Sequence, residues 1–213
     1  MQPRARALAA TALPAPGVAR PLAVDLDGTL ARTDILFELI AVALRQAPLL
    51  VLRLPLILLF GGGIAAVKRA LAERIDLDYG ALPLREDLVA WLREERARGR
   101  MLLLVTASDA RSAQAMQQRL GLFFQAFGSD GVRNFKGAAK LRFLDDRFPQ
   151  GWAYAGDSAA DLAVWRGAKS AVLVGRALRF EPVLAKGGVD IETRFADPPS
   201  GWRVWSRALR LHQ

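Results

Sequence analysis

The sequence predicts an α/β fold, a parallel sheet flanked by helices with a helical insertion after the first strand. Two observations predict it. Four short apolar runs, at 21–24, 101–105, 152–155 and 170–174, are separated by segments of helical character. Runs of that length suit strands buried on both faces. Three of the four lead directly into a polar cluster: Asp25-Leu26-Asp27-Gly28, Thr106-Ala107-Ser108 and Gly156-Asp157-Ser158. Open α/β sheets place ligands at the carboxyl ends of their strands, so the threefold coincidence also marks where function should lie.

The bulk properties narrow the chemistry. A chain of 213 residues, 52% hydrophobic and 24% charged, can bury a core and accommodate one domain with a modest insertion. It has no cysteine, which excludes disulfides and thiolate chemistry, and one histidine, His212, which argues against a histidine triad or metal cluster. Catalysis must then rest on carboxylates, hydroxyls, lysines and a metal with oxygen ligands. The net charge of +9 points to an anionic partner, a phosphorylated substrate or an acidic membrane surface. The arginines are scattered, with no dense run and no interleaved aromatics, so no nucleic acid is expected.

Taken in order, residues 1–20 read as a flexible leader rich in Ala, Pro and Arg, with Pro14 and Pro16 interrupting any signal-like apolar core. Residues 33–46 have helical spacing, with Ile35, Leu36, Leu39, Ile40 and Ala43 on one side; 64–75 and the charged stretch 84–98, closed by Gly99, also read as helices. Residues 33–82 are therefore expected to form a helical cap, and 21–32 with 83–195 the catalytic core. Residues 196–213 are expected to be a basic tail or helix, with Trp202, Trp205 and Leu209 available for packing.

Within the cap, the segment 47–67 carries Arg53 as its single interior charge and approaches the length of a membrane span. Arg53, Pro55 and the Gly61-Gly62-Gly63 break argue against a simple span. Two readings stand: a pair of buried cap helices, or a cap face that dips into the membrane interface with Arg45, Arg53, Lys68 and Arg69 near anionic head groups. The second is preferred, because a core of this size has little need for so much leucine in an insertion.

Asp25 and Asp27 alternate after a strand in a tight loop opened by Gly28. With Asp157 from another strand end they make a hard oxygen site suited to Mg²⁺. One oxygen of Asp25 can then approach phosphorus and form an aspartyl-phosphate, while Asp27 protonates the leaving oxygen and later activates water. Thr106, and the amides after it at the start of the next helix, would supply donors to the phosphoryl oxygens. Lys136 would supply positive charge, with Lys140, one helical turn later, as the competing choice. Asp157 and Asp161 taken alone would be ordinary acids at a helix N-terminus.

These segments resemble the motifs of the haloacid dehalogenase superfamily: Asp25-Leu26-Asp27-Gly28-Thr29-Leu30 the first, Thr106 the second, Lys136 the third, and Gly156-Asp157-Ser158-Ala159-Ala160-Asp161-Leu162 the fourth. The resemblance covers roughly residues 21–190. It implies a Rossmann-like core with a helical cap of the C1 type. It also implies a phosphatase with Asp25 as nucleophile, Asp27 as acid/base, and Thr106, Ala107 and Lys136 binding the phosphoryl group. Asp25, Asp27, Asp157 and Asp161 would serve Mg²⁺. The insertion is similar to the cap of phosphoserine-phosphatase-like members, but Ala160 stands where those usually carry Asn, which weakens a phosphoserine assignment.

A narrower resemblance lies in Ser129-Asp130-Gly131-Val132-Arg133-Asn134-Phe135-Lys136-Gly137, in the fourth motif through Trp165, and in the chain end 207–213. These are similar to phosphatase-like domains joined to UbiA-type polyprenyl prenyltransferases. This implies a cytoplasmic protein, peripheral on the inner face of the cell membrane, acting on a lipid-linked or polyprenyl-phosphate sugar phosphate. The alternatives are a non-catalytic or regulatory partner module of such a prenyltransferase, and a soluble phosphatase for small metabolites.

Overall fold

The computed structural model describes residues 19–130 and 135–198. The leader up to residue 18, Gly131 to Asn134 of the prenyltransferase-like stretch, and the tail from residue 199 lie outside the described residues.

The core is a six-stranded sheet in the order β3-β2-β1-β4-β5-β6, made of β1 (Leu22–Val24), β2 (Leu102–Asp109), β3 (Gln125–Ser129), β4 (Ala153–Gly156), β5 (Ser170–Val174) and β6 (Asp190–Phe195). Every pairing is parallel. The four central strands are the four apolar runs, and they alternate with period two. Leu22, Val24, Leu104, Ala155 and Val172 face one apolar cluster, whereas Ala23, Leu103, Val105, Tyr154 and Leu173 face the other. The two outer strands, β3 and β6, were not expected. As sheet edges they mix polar with apolar residues, such as Asp190, Glu192 and Arg194 in β6, and so carry no apolar run.

Helices cover both faces. On the first lie α1 (Ile35–Gln46), α2 (Pro48–Phe60), α3 (Ile64–Arg74), α4 (Glu86–Ala97) and α5 (Ala110–Leu120); on the second lie α6 (Ala138–Arg147), α7 (Leu162–Trp165) and α8 (Glu181–Lys186). Helices α1 to α3 fall between β1 and α4, where the insertion is expected. The chain leaves and returns side by side: Arg32 N–H donates to Pro83 O at 2.9 Å and Arg85 N–H to Leu30 O at 3.0 Å. Ile35, Leu39, Ala43, Val67 and Leu71 of the inserted helices bury into the same cluster as Leu88 and Leu92 of α4. The inserted helices are thus seated on the sheet's own core.

Helix α2 does not follow suit. Proline begins it, which suits a first-turn position with no N–H to satisfy, and Pro55 lies inside it. Leu54 is its one buried residue, while Leu49, Leu52, Leu56, Leu59 and Phe60 are exposed. The buried-pair reading of 47–67 therefore fails for α2. Two of the four cations expected near that face also turn elsewhere. Lys68 donates to Ser108 Oγ at 3.3 Å, and Arg69 donates to Asp130 O at 2.9 Å. Both sit on α3, which packs against the core, so their reach is toward the sheet. Among the described residues, no helix is long and apolar enough to cross a membrane.

Candidate active site

The strand order reverses between β1 and β4, which grow the sheet in opposite directions, and this is where a doubly wound sheet opens a crevice. Asp25 follows β1 and Asp157 follows β4. Their strands pair through Val24 and Ala155, and Asp25 N–H donates to Ala155 O at 3.0 Å. The two carboxylates are neighbours because of topology, although 132 residues (157 − 25) separate them in sequence. Gly28 makes the approach possible. Its φ is +73°, and a Cβ there would stand 2.4 Å from Asp157 Oδ2.

Three carboxylates, Asp25, Asp157 and Asp161, offer oxygens that all lie within 4.8 Å of one another. Burial pushes the Asp25 carboxyl up to about 7; Lys140 opposes the shift, and Asp161 and Asp27 add to it. Burial and the charge of Asp161 push Asp157 up to about 6, against the pull of Arg176 and Arg85. An all-oxygen set under mutual repulsion, from two strand ends and the turn after β4, fits a hard divalent cation such as Mg²⁺.

Lys140, in the first turn of α6, is the lysine that the structure brings to Asp25. Its side chain is 3% exposed, and Nζ donates to Asp25 Oδ1 at 2.9 Å and to Tyr154 Oη at 2.6 Å. Tyr154 Oη in turn donates to Asp161 Oδ1 at 2.7 Å. Burial first, then Asp161 and Asp25, raise the Tyr154 hydroxyl well above its ordinary range, so it stays a neutral donor. Asp161 also accepts from Ser158 N–H and Oγ, which fixes the turn after β4. Lys136 lines the same cavity but precedes α6, in the loop before Gly137.

Asp27 stands apart. Its Oδ1 accepts from Ile35 N–H at 2.8 Å, anchoring it to the N-terminus of α1, where Asp34 is the cap. Its Oδ2 accepts from Ser108 Oγ at 2.5 Å, with Lys68 Nζ at 3.9 Å. Burial raises its pKa, opposed by Lys68, Ser108 and the Ile35 amide. Its side chain is therefore not part of the three-carboxylate cluster, contrary to the four-residue ligand set expected, because the helix N-terminus and Ser108 hold both of its oxygens.

Two further expectations change. Thr106 is fully buried, its Oγ1 accepts from Ser108 N–H at 3.0 Å, and it does not line the cavity, whereas Ala107 does. The helix after Thr106 does not begin there either. Strand β2 continues to Asp109, and Asp109 itself caps α5 by accepting from Arg111 N–H. The cavity, of about 300 Å³, is otherwise lined by Asp25, Asp27, Lys136, Lys140, Asp157 and Asp161, with Arg32 and Arg176 toward one side.

Sequence reasoning missed Tyr154, Ser108, Lys68, Arg32 and Arg176. Tyr154 left a signal: a tyrosine in a strand buried on both faces must find a partner for its hydroxyl. Ser108 left one too, standing in the polar cluster after the second apolar run, where it carried no assigned role. The others left none.

No protein-family model matches the sequence. A relative from Sinorhizobium fredii (strain NBRC 101917 / NGR234), uncharacterized protein y4nM, is 41% identical over 193 residues, which is 91% of this chain and 37% of that protein. The chain thus spans little more than a third of its relative's length. Among solved structures, a protein of unknown function from Bordetella pertussis Tohama I matches with a TM-score of 0.60 at 14% identity, over 81% of this chain and 97% of that one. A phosphoserine phosphohydrolase-like protein from Francisella tularensis subsp. tularensis SCHU S4 gives 0.52 at 12% identity, over 84% and 95%. A haloacid dehalogenase family hydrolase from Salmonella enterica subsp. enterica serovar Typhi gives 0.50 at 17% identity, over 91% and 74%. At these identities the likeness is one of fold, and the fold is that of the haloacid dehalogenase-type hydrolases.

Proposed function

We propose that the chain is a Mg²⁺-dependent phosphomonoester hydrolase that works through an aspartyl-phosphate on Asp25. The observation that carries this reading is the pairing of two differently held carboxylates two residues apart. Asp25 is fixed by Lys140 within a carboxylate cluster, while Asp27 is held outside it by Ser108 and the Ile35 amide. Environments that separate two carboxyl groups in this way assign them separate roles.

Lys140 holds Oδ1 of Asp25, which leaves Oδ2 to attack phosphorus. A bond forms from Asp25 to phosphorus as the bond from phosphorus to the leaving oxygen breaks, and Asp27 gives that oxygen its proton. Asp27 then takes a proton from a water, the water attacks phosphorus, and phosphate leaves with Asp25 restored. Lys140 and Lys136 attract the phosphoryl oxygens, and Tyr154 keeps Lys140 aimed. A Mg²⁺ ion held by Asp25, Asp157 and Asp161 would neutralise charge on the phosphoryl group. In this scheme helices α1 to α3, over 33–82, act as the cap on the core of 21–32 and 83–195.

The substrate is a phosphorylated small molecule or, on the finer reading, a lipid-linked or polyprenyl-phosphate sugar phosphate met at the inner membrane face. The exposed leucines of α2 support the finer reading, and they weigh against a purely soluble metabolite phosphatase, which needs that segment buried. A partner module of a UbiA-type prenyltransferase is the alternative of another class. The full set of Asp25, Asp27, Lys140 and Asp157 weighs against it, since a binding module has no chemical need for them together.

Asp25→Asn is the test. It should abolish Mg²⁺-dependent release of phosphate from p-nitrophenyl phosphate, and retained turnover would end the nucleophile assignment.

A further inference from the structure

Leu49, Leu52, Leu56 and Leu59 recur at spacings of three and four residues, so they form one stripe along α2. The stripe points outward: Leu52 is 74% exposed, Leu59 73% and the neighbouring Phe60 84%. Phe37 and Leu44 of α1 and Ile64 of α3 are also exposed on the adjoining helices. An apolar groove of about 470 Å³ runs beside the stripe, lined by Leu50, Leu56, Ile57 and Phe60, with Arg53 and Arg74 at its edge. An exposed apolar stripe of this kind marks an interaction site.

The charges say what covers it. Helix α2 carries no acid, and Arg45 and Arg53 are exposed with no ion pair among the described residues. On the adjoining helices Glu38 is half-buried and Glu73 pairs with Arg74 and Arg111, while Asp76 stands past the end of α3 beside Gln46. A second copy of the chain would set α2 against α2 and bring Arg53 toward Arg53 with no acid on that helix to meet it. An anionic bilayer supplies both complements, tails for the leucines and head groups for the arginines. The helix has 13 residues and so spans about 20 Å, short of the ~30 Å hydrocarbon core, so it must lie flat.

We propose that α2 is an interfacial anchor, lying in the plane of an anionic membrane with its leucine stripe among the acyl chains and Arg45 and Arg53 at the head groups. The inference rests on the membrane-face reading of the function, but not on the chemistry at Asp25.

The test is flotation of the full chain with phosphatidylcholine vesicles, with or without one-fifth phosphatidylglycerol (a proportion of ~20%, enough for a negative surface potential). The protein should float with the anionic vesicles and stay behind with the neutral ones. Leu56→Glu with Leu59→Glu should abolish flotation, since each leucine withdrawn lowers partitioning about tenfold. Arg45→Gln with Arg53→Gln, which keeps the apolar surface intact, should lower it about fivefold per arginine.

Absence of flotation by the wild type would overturn the proposal, as would flotation untouched by either double variant. So would a stable dimer by light scattering that the leucine variants dissolve. Hydrolysis of p-nitrophenyl phosphate, followed in the same preparations, reports separately on the site. Lost turnover with intact flotation would count against the phosphatase reading alone.

Discussion

Replacing Lys140 by Met decides which lysine serves the phosphoryl group. The native Nζ makes two hydrogen bonds, at 2.9 Å to Asp25 and 2.6 Å to Tyr154, in a side chain 3% exposed. A hydrogen bond to a charged group contributes about 1.5–3 kcal/mol. Loss of a fixed donor to developing charge lowers kcat by roughly 100- to 1,000-fold. Lys140→Met should therefore lower kcat/KM for p-nitrophenyl phosphate by that factor, whereas Lys136→Met, which removes a cation from a loop, should cost under about tenfold.

Stability supplies a second readout. Lys140 lowers the Asp25 pKa, so its removal raises it further above about 7. A carboxyl raised above its unfolded value loses stability as pH rises, up to the folded pKa. The deficit of metal-free Lys140→Met relative to wild type should thus widen above pH ~7 in thermal melts. A larger kinetic loss at Lys136 than at Lys140, with parallel pH–stability curves, would refute the assignment.

Two further outcomes follow from the same geometry. Tyr154→Phe leaves ring packing intact but removes the hydroxyl joining Lys140 to Asp161; it should weaken Mg²⁺ binding by calorimetry and lower kcat, each by about tenfold, and unchanged values for both would deny Tyr154 any positioning role. Away from the site, buried Arg100 is gripped by Glu192 at 2.7 and 2.9 Å and by Glu95 at 2.8 Å. Burial raises the Glu192 pKa, but the bonds from Arg100 and Ser170 outweigh it and the net shift is downward. Its contribution is therefore present above the unfolded value and lost as pH falls through the folded one. Glu192→Gln should cost about 1–3 kcal/mol at pH 7, with the gap from wild type closing below pH ~4 in chemical denaturation.

The central strands were legible because burial on both faces leaves little choice but apolar side chains, and polar residues then stand out where the strands end. The edge strands β3 and β6 were not legible, because half-exposed edges tolerate Gln125 or Glu192 and break the run. Asp25 and Asp157 were legible for the same reason as the central strands, since they stand at the ends of apolar runs, whereas Asp161 lies a turn beyond and was marked by the resemblance. Choosing between Lys136 and Lys140 was not, since it depends on α6 beginning at Ala138, so that Lys140 falls within its first turn and reaches Asp25. The exposure of α2 escaped periodicity because apolar residues occupy both its buried and its open side, leaving no contrast to read.

The separation of Asp25 from Asp27 has a consequence for how the site holds protons near neutrality. With Asp25 raised to about 7 and Asp157 to about 6, protons and a divalent cation compete for the same oxygens. Whatever binds the cluster therefore displaces protons from it. Asp27 is tied instead to α1's N-terminus and Ser108, and acts on the cluster through its charge, which adds to the rise at Asp25. Burial raises its pKa as well, against the pull of Lys68, Ser108 and the Ile35 amide. The two-residue alternation after β1, with Gly28 against Asp157, lets one short segment hold one carboxylate inside the cluster and one outside it, the separation on which the proposed division of roles rests.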